Sequence, residues 1–594
     1  MQDQGDQPQS RDRLRRCALG RVSLAVCAAI LVFYFSVLLS SAVLFALRLG
    51  LNRIPLIVGL VSALGILPLV CRLDDGTRWF RRTVLSLLIL VAICAGSAIM
   101  SLLVYDQTYD GQLYHQETVI QLARGWNPLR GDLDVRAVPS DEARPHINGL
   151  ARGAEVAAAA VYVWSDSIEL GKLCNAMLIA AAFFAALAAL LSFEAISIAR
   201  AILISLILAL NPVSICQTFS FYVDGQLAAL LLCLSAFLAL FIRTGQRRYA
   251  TMAMMTVAML LSVKSTAAAF APIYVAAALL WLMCQRQRGR ALDALLAGVA
   301  GAVIGIFISL SPYMTNTLRH GHPLYPFRGP QSFGYDWRRT RPADFNEMNR
   351  FERLFRSIAS MPDDDYAGGH FAPSRLTAPM FFWPPRRLGW FAYPDVRVGG
   401  FGPFFSGALV LGVVAIALTR RREAVAAVAL VVAVLLSVVI HPECWWARFC
   451  PQLYAMPTVL VIAATISPSK AAGRAALAAT VVLWLNALFV AGSYIVAQVH
   501  WNGALRRQLA ELRGSPRPIL IDFSDFRSHR VRLSEAGVKF LEVPPAGALV
   551  SGPICMSFGA GCLSPTIRVG CSIGPRLAPA EPLRGSPRAV FYRQ

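Results

Sequence analysis

Apolar runs of about the length that crosses a bilayer recur along almost the whole of this 594-residue chain. A helix needs roughly 20 mainly apolar residues to span hydrocarbon, and on that measure the pattern predicts about thirteen helices. They fall at 22–47, 54–71, 83–104, 173–192, 200–212, 225–242, 250–263, 266–283, 292–312, 403–419, 424–440, 452–467 and 475–498. The runs at 200–212 and 250–263 are short and read as tilted, broken or re-entrant. The first run follows Arg11, Arg13, Arg15, Arg16 and Arg21 and is too long for a signal-peptide core, so it reads as a retained anchor. Two mixed segments, 105–171 and 313–402, are too long to be turns. Within the first, the stretch from Glu117 and the stretch Ala154–Val163 predict short helices along the interface. Beyond about 502 the character changes, with a helix over Ala504–Leu512, a strand over Pro518–Asp522, a short helix over Val531–Ala536 and a strand over Val538–Val543. The fold expected is an all-α polytopic membrane protein. It has a basic N-terminus over 1–21, a transmembrane domain over 22–498 and a small extracytoplasmic α/β domain over 499–594.

Composition agrees. The chain is 56% hydrophobic and 15% charged, with a mean hydropathy of +0.54, whereas soluble domains carry about 25% charged residues. A net charge of +22 would suit a nucleic-acid partner, but its distribution argues against one. Basic residues cluster between apolar runs, at Arg72/Arg78/Arg81/Arg82, Arg243/Arg247/Arg248, Arg286/Arg288/Arg290, Arg420/Arg421/Arg422 and Lys470/Arg474. Such clusters mark cytoplasmic loops, which puts 105–171, 313–402 and the tail on the other face. The thirteen cysteines are scattered without zinc-ligand spacing. Cys555, Cys562 and Cys571 could form one disulfide with one thiol left over, in a pairing that sequence leaves open. A secondary transporter would carry paired repeats and mid-span charges, and neither is visible.

The polar chemistry gathers at the outer helix ends. Tyr105–Gln116 is a run of acids and aromatics in which Asp110 stands beside Tyr109, Tyr114, His115 and Glu117. A carboxylate there can serve as a general base for a hydroxyl or simply cap the next helix, with Asp106 as its competitor. Asp224, in Tyr222-Val-Asp-Gly225, can likewise cap a helix or orient a substrate or metal. Lys264, Arg319, His320 and Arg448 are cations suited to a phosphate, unless they snorkel to headgroups. Asp132, Asp134, Asp141, Glu142 and His146 read as solvated, as does the Asp363-Asp364-Asp365 triplet. That triplet could meet a divalent cation but lacks ligand spacing. Trp383-Pro-Pro385, Trp390 and Tyr393 read as interfacial aromatics.

Four motifs occur in order. Asp110-x-x-x-Tyr114-His115 has Trp126 downstream, and Val263-Lys264-Ser-Thr266 ends a helix. Asn316-x-x-x-x-Gly321-His322-Pro323-x-Tyr325-Pro326 follows a central helix, and Trp445-Trp446-Ala-Arg448-Phe-x-Pro451 precedes a late one. Over about 100–460 they resemble the bacterial GT-C glycosyltransferases, with His322 where that family usually has asparagine. The resemblance implies a GT-C-like helical fold in the bacterial inner membrane, with the site and tail facing the periplasm. It implies an inverting transfer from a polyprenyl-phosphate-linked sugar donor to an extracytoplasmic glycan, lipid or protein acceptor, with Asp110 as general base. Tyr114, His115, Asp224, Lys264, Arg319, His320, Tyr325 and Arg448 would bind substrate, and the need for a divalent cation stays open. An O-antigen ligase or polymerase, with its arginine-rich outer loop, is the nearest alternative. A transporter or a non-catalytic scaffold is more distant.

Overall fold

The computed structural model describes residues 7–72, 78–362, 366–367, 370–377, 391–523, 525–542, 554–557 and 566–570. The chain opens with α1 (Gln7–Ala46), α2 (Ile54–Arg72) and α3 (Trp79–Leu103). The first outer segment holds a π-helical turn (Gly111–His115) and α4 (Gln116–Ala123), α5 (Ala143–Gly149) and α6 (Gly153–Ser165). Then come α7 (Leu173–Leu191), α8 (Ile198–Ala209), α9 (Pro212–Gln217), α10 (Asp224–Thr244), α11 (Arg247–Val263), α12 (Ala267–Cys284), α13 (Arg288–Ile308) and α14 (Leu310–His320). The second outer segment carries α15 (Arg350–Ile358) and two short strand pairs, β1 (Ser360–Met361) with β4 (Arg375–Leu376) and β2 (Tyr366–Ala367) with β3 (His370–Phe371). The bundle closes with α16 (Phe405–Ala417), α17 (Arg421–Val439), α18 (Ala455–Ile466) and α19 (Lys470–Arg513).

Most of each apolar run expected from sequence is helical, with 200–212 passing from α8 into α9. Among the described residues, eight helices are long and apolar enough to cross a membrane: α1, α2, α3, α10, α12, α13, α19 and the stretch Ile168–Leu191 that contains α7. The apolar helices α8, α16 and α18 and the Glu423–Val439 part of α17 are shorter. α1, α7 and α10 form the centre, whereas α2, α3 and α13 leave large apolar side chains outside, among them Val61, Leu88 and Val303. Apolar bands on this scale suit a lipid environment. The two ends of the bundle differ in chemistry. At one end Arg16 donates to the carbonyls of Leu191, Phe193 and Ile196, and Arg243 donates to that of Ser192. The long polar segments lie at the other end.

Three boundaries differ from the sequence pattern. The first helix starts at Gln7, well before the apolar run. The helix expected over 292–312 breaks near Ser309, and Ser311 sits at φ −104°, ψ 120°. Pro312 disfavours helical geometry in the residue before it, and α14 then resumes to His320. The helices expected at 475–498 and 504–512 are one 44-residue helix, α19, so no linker lies at 499. Within this helix Asn502 bonds its amide back to the Gln498 carbonyl at 2.8 Å.

Past α19, β5 (Ile519–Asp522) leads through α20 (His529–Glu535) to a parallel β6 (Phe540–Glu542). With β7 (Ile554–Ser557) and β8 (Thr566–Gly570) the strand order is β6-β5-β8-β7. Leu505 and Leu509 of α19 pack with Ile519, Ile521, Leu533 and Val538 in a core of their own. Asp363–Asp365, Trp383–Pro385, Trp390, Cys562 and Cys571 lie outside the described residues, as does the Cys555 side chain.

Candidate active site

Thr108 does the capping that could have occupied Asp110, its Oγ1 accepting the Gly111 N–H at 3.1 Å. Asp106 is bonded to other backbone N–H groups. Its Oδ1 accepts the Thr108 N–H at 2.9 Å and its Oδ2 the Phe221 N–H at 2.8 Å. Burial raises its pKa, against the lowering pull of Lys172. A Cβ on Gly111 would clash with the Asp106 carboxylate and the Thr108 hydroxyl, so a larger residue there must displace these side chains. Asp110 makes no capping bond to the π-helical turn it precedes. Its Oδ2 instead accepts Arg448 Nη1 at 2.8 Å. Burial pushes this carboxyl up, but the Arg448 charge and hydrogen bond outweigh it and hold the group below the usual carboxylate range.

Arg448 sits in a 3-10 turn, Ala447–Phe449, whose Arg448 N–H donates to Val396 O at 3.2 Å. Its guanidinium lies 4.8 Å from the centre of the Tyr222 ring and 5.0 Å from those of Trp446 and Phe449. Two further carboxylates approach it, Asp395 Oδ1 at 3.1 Å from Nε and Asp224 Oδ2 at 4.0 Å from Nη1. Burial opposes the charge on Arg448, yet Asp395 and Asp110 raise its pKa further. Burial raises the pKa of Asp395, against the pull of Arg448 and Arg397. Arg448 Nε is buried with no hydrogen-bond partner, because the contact to Asp395 lacks hydrogen-bond geometry. Lys264, just past the end of α11, bonds Asp224 at the start of α10, and its Nζ lies 4.9 Å from the centre of the Phe449 ring. Arg397 pairs with Asp395 at 3.4 Å. Three acids and three cations therefore balance in one buried cluster.

Buried amides fix Asp224. Asn175 Nδ2 donates to the carbonyls of Gln217 (3.0 Å), Ser220 (2.7 Å) and Tyr222 (3.2 Å), shaping the turn into α10. Gln226 donates to Asn175 Oδ1 at 2.5 Å and accepts the Tyr34 hydroxyl at 2.6 Å. Gln217 Nε2 donates to Asp224 Oδ2 at 3.1 Å while its Oε1 accepts the Gly225 N–H at 2.8 Å. The carboxylate is thus held by side chains, and the cap position of α10 is Val223.

Tyr114 and His115 line the same region. His115 Nδ1 bonds the buried Glu155 of α6, and Tyr114 stacks on His146 with centroids 5.0 Å apart. His146 is buried, contrary to the sequence expectation, and its desolvation keeps its pKa low. Arg319, His320 and Tyr325 form a second cluster. Arg319 Nη1 and His320 Nε2 bond Asp132 at 2.6 and 2.9 Å, and His320 stacks on Tyr325 at 3.8 Å. Asn316 donates to the carbonyls of Gly149 and Tyr325 at 2.9 and 3.0 Å and so shapes that turn. Of the sequence-selected residues, then, Asp110, Asp224, Lys264 and Arg448 share one network, with Tyr114 and His115 beside it. Arg319, His320 and Tyr325 belong to the other. Sequence reasoning missed Asp395 and Glu155: an acid after Pro394 and one in an alanine-rich helix carry no signal until the chain brings them to Arg448 and His115.

Among the described residues no group of three or more His, Cys, Asp or Glu is gathered as for a metal ion. Asp110, Asp224 and Asp395 converge on a guanidinium, which meets the charge that a cation would otherwise meet.

No family model matches the chain, and no curated protein matches it. A solved structure of ArnT from Cupriavidus metallidurans bound to undecaprenyl phosphate aligns with 80% of this chain and 87% of its own, at 12% identity and a TM-score of 0.43. At that score no residue role is transferred, and the functional reading rests on this chain's own residues.

Proposed function

We propose that this protein is a membrane glycosyltransferase of GT-C type. It would move a sugar from a polyprenyl-phosphate donor to an extracytoplasmic hydroxyl at the site end of the bundle, with inversion, in the bacterial inner membrane. The observation that carries the reading is the Asp110–Arg448 pair, a carboxylate bonded at 2.8 Å to a buried arginine with one donor unmet. A second acid–cation pair, Asp224–Lys264, stands beside it. Such a pairing suits one base and one phosphate in the same place. The four motifs that resemble the family include all four residues except Asp224.

In the proposed step, the acceptor oxygen bonds to the anomeric carbon while the bond from that carbon to the phosphate oxygen breaks. The bonding electrons leave with the lipid phosphate, and the hydroxyl proton passes to Asp110. Arg448 and Lys264 stabilise the charge that grows on the phosphate. The arriving phosphate competes with Asp110 for the Arg448 N–H groups. As that bond loosens, the influence holding the Asp110 pKa low is removed, so the base strengthens when the donor binds.

Purified full-length protein with a polyprenyl-phospho-sugar and an acceptor provides the test. Asp110→Asn keeps shape and removes the base, and turnover should fall by about 100-fold or more. Wild-type turnover in this variant would remove Asp110 from the mechanism.

A further inference from the structure

The buried arginine Arg532 lies in the C-terminal lobe, yet most of its partners lie on the outer loops around Asp110. α20 inserts against the first outer segment. Arg532 is 1% exposed. Its Nη2 donates to Asp106 O at 2.6 Å and to Glu169 Oε1 at 2.7 Å, and its Nη1 reaches Gln112 Oε1 at 3.3 Å. Glu169 is not a passive partner: its Oε2 accepts the Asp106 N–H at 3.1 Å and bonds Lys172, which in turn bonds Val104 O. Arg532 and Glu169 therefore hold Asp106 by its carbonyl and its N–H. Asp106 in turn bonds Phe221, three residues before Asp224. Around this centre, Ser528 donates to Gln112 O at 2.7 Å, Arg530 pairs with Glu117 at 2.9 Å, and the Phe526 ring meets Tyr109 edge-on at 5.5 Å.

These bonds span Asp110 on both sides in sequence, with Asp106 before it and Gln112 and Glu117 after it. They also reach Asp224 through Phe221. These hydrogen bonds of Arg532 go to Asp106, Gln112 and Glu169 rather than to the charged groups around Arg448. A guanidinium buried among acceptors from three residues of the first outer segment fixes their relative positions, because its planar fork offers several donors in set directions. Releasing it would leave the buried Glu169 and the Asp106 carbonyl short of a partner.

We infer that α20 is a working part of the transferase site, and that Arg532 is a positioning residue that sets where Asp110 and Asp224 stand relative to Arg448. The inference rests on the proposed transferase reading for its consequence, but not for its geometry. A displacement of about 1 Å at a reacting group costs about 100-fold in rate, so a loosened clamp should be felt in kcat. Donor binding should be little changed, because Lys264 and Arg448 are untouched.

The test uses full-length Arg532→Gln and Arg532→Lys in detergent or nanodiscs, with two readouts. The first is amide exchange, which requires no enzymatic activity. Residues 105–117 should exchange about tenfold faster in Arg532→Gln, while the middle of α10 keeps wild-type protection. The second is steady-state kinetics, where kcat should drop between about 10- and 100-fold with donor KM within about twofold. Arg532→Lys, which retains one charge and fewer bonds, should fall between wild type and Arg532→Gln. Wild-type protection over 105–117 in a folded Arg532→Gln would overturn the clamp. Faster exchange with unchanged kcat would overturn the positioning role, as would exchange that rises equally throughout the bundle. If the wild-type protein transfers no sugar, the enzymatic reading fails, and the exchange data still decide the clamp.

Discussion

At the scale of single residues, the site is governed by which of two nearby acids is free. Asp106 has its oxygens bonded to backbone N–H groups, and Asp110, four residues on, has its oxygen on Arg448. Gly111 makes this division possible, since a side chain there would displace Asp106. Gly111→Ala should therefore destabilise the protein by about 1–3 kcal/mol through overpacking and lower turnover, measured by thermal unfolding alongside the transfer assay. The Asp110 pKa gives a second prediction. A carboxyl with a lowered folded pKa keeps its ion pair at all pH above its unfolded value of about 3.9, and loses it as pH falls through the lower folded value. In the free protein the acid limb of kcat/KM due to Asp110 should fall below about pH 3.9. In the donor-bound state Arg448 is engaged by phosphate, and the acid limb of kcat should move to higher pH. Coincident limbs would argue against the exchange of Arg448 between the two anions. Asp110 could be chosen from the sequence because its aromatic and histidine neighbours mark it, whereas Asp395 has no such local mark. Its role depends on a fold that brings Pro394 and Asp395 against the 447–449 turn.

Helices supply the rigid ends that hold these groups. Asp224 begins α10 and Lys264 follows α11, so their ion pair joins two antiparallel neighbours at one level. Lys264→Met leaves a carboxylate that is 2% exposed with the Gln217 amide and, as its remaining cation among the described residues, the more distant Arg448, and breaking a buried pair in this way costs about 3–5 kcal/mol. Lys264→Met combined with Asp224→Asn should recover most of the lost thermal stability without recovering transfer. A double variant no more stable than Lys264→Met would assign the loss to packing. Element existence was legible because long apolar runs have few alternatives to helix. Boundaries were less so: the break at Ser309 follows from Pro312, which was visible, but the continuity of α19 depends on Asn502 serving both helix and loop. Its Oδ1 accepts the Tyr105 N–H at 2.6 Å while its amide stays within the helix. The division of the outer cations into two clusters was not legible, since Arg319 and Arg448 look alike until Asp132 and Asp110 select between them.

The whole molecule has two chemically distinct ends, and its orientation can be read directly. Exposed Cys17 and Cys284 lie with the arginine clusters, away from the site. An Asp141→Cys variant places a thiol on the exposed part of the first outer segment, where the Asp141 side chain is 89% exposed. In intact cells a membrane-impermeant maleimide should label position 141 at once and reach Cys17 and Cys284 only after permeabilisation. The reverse pattern would put the site in the cytoplasm and remove the proposed periplasmic donor. α19 runs unbroken into the C-terminal lobe, so the bundle is joined by continuous helix to the element that clamps the first outer segment.

That arrangement also has a timetable. Asp110 and Arg448 are 338 residues apart in sequence, and Asp106 and Arg532 are 426 apart. At a synthesis rate of about 5–20 residues per second, the loop bearing Asp110 emerges roughly 20 to 85 seconds before the arginine that holds it. Through that interval the first outer segment lacks the partners that Arg532 supplies. On the proposed reading, a chain that stops before Arg532 should keep its membrane helices and lose transfer, because the first outer segment lacks the side chain that clamps it.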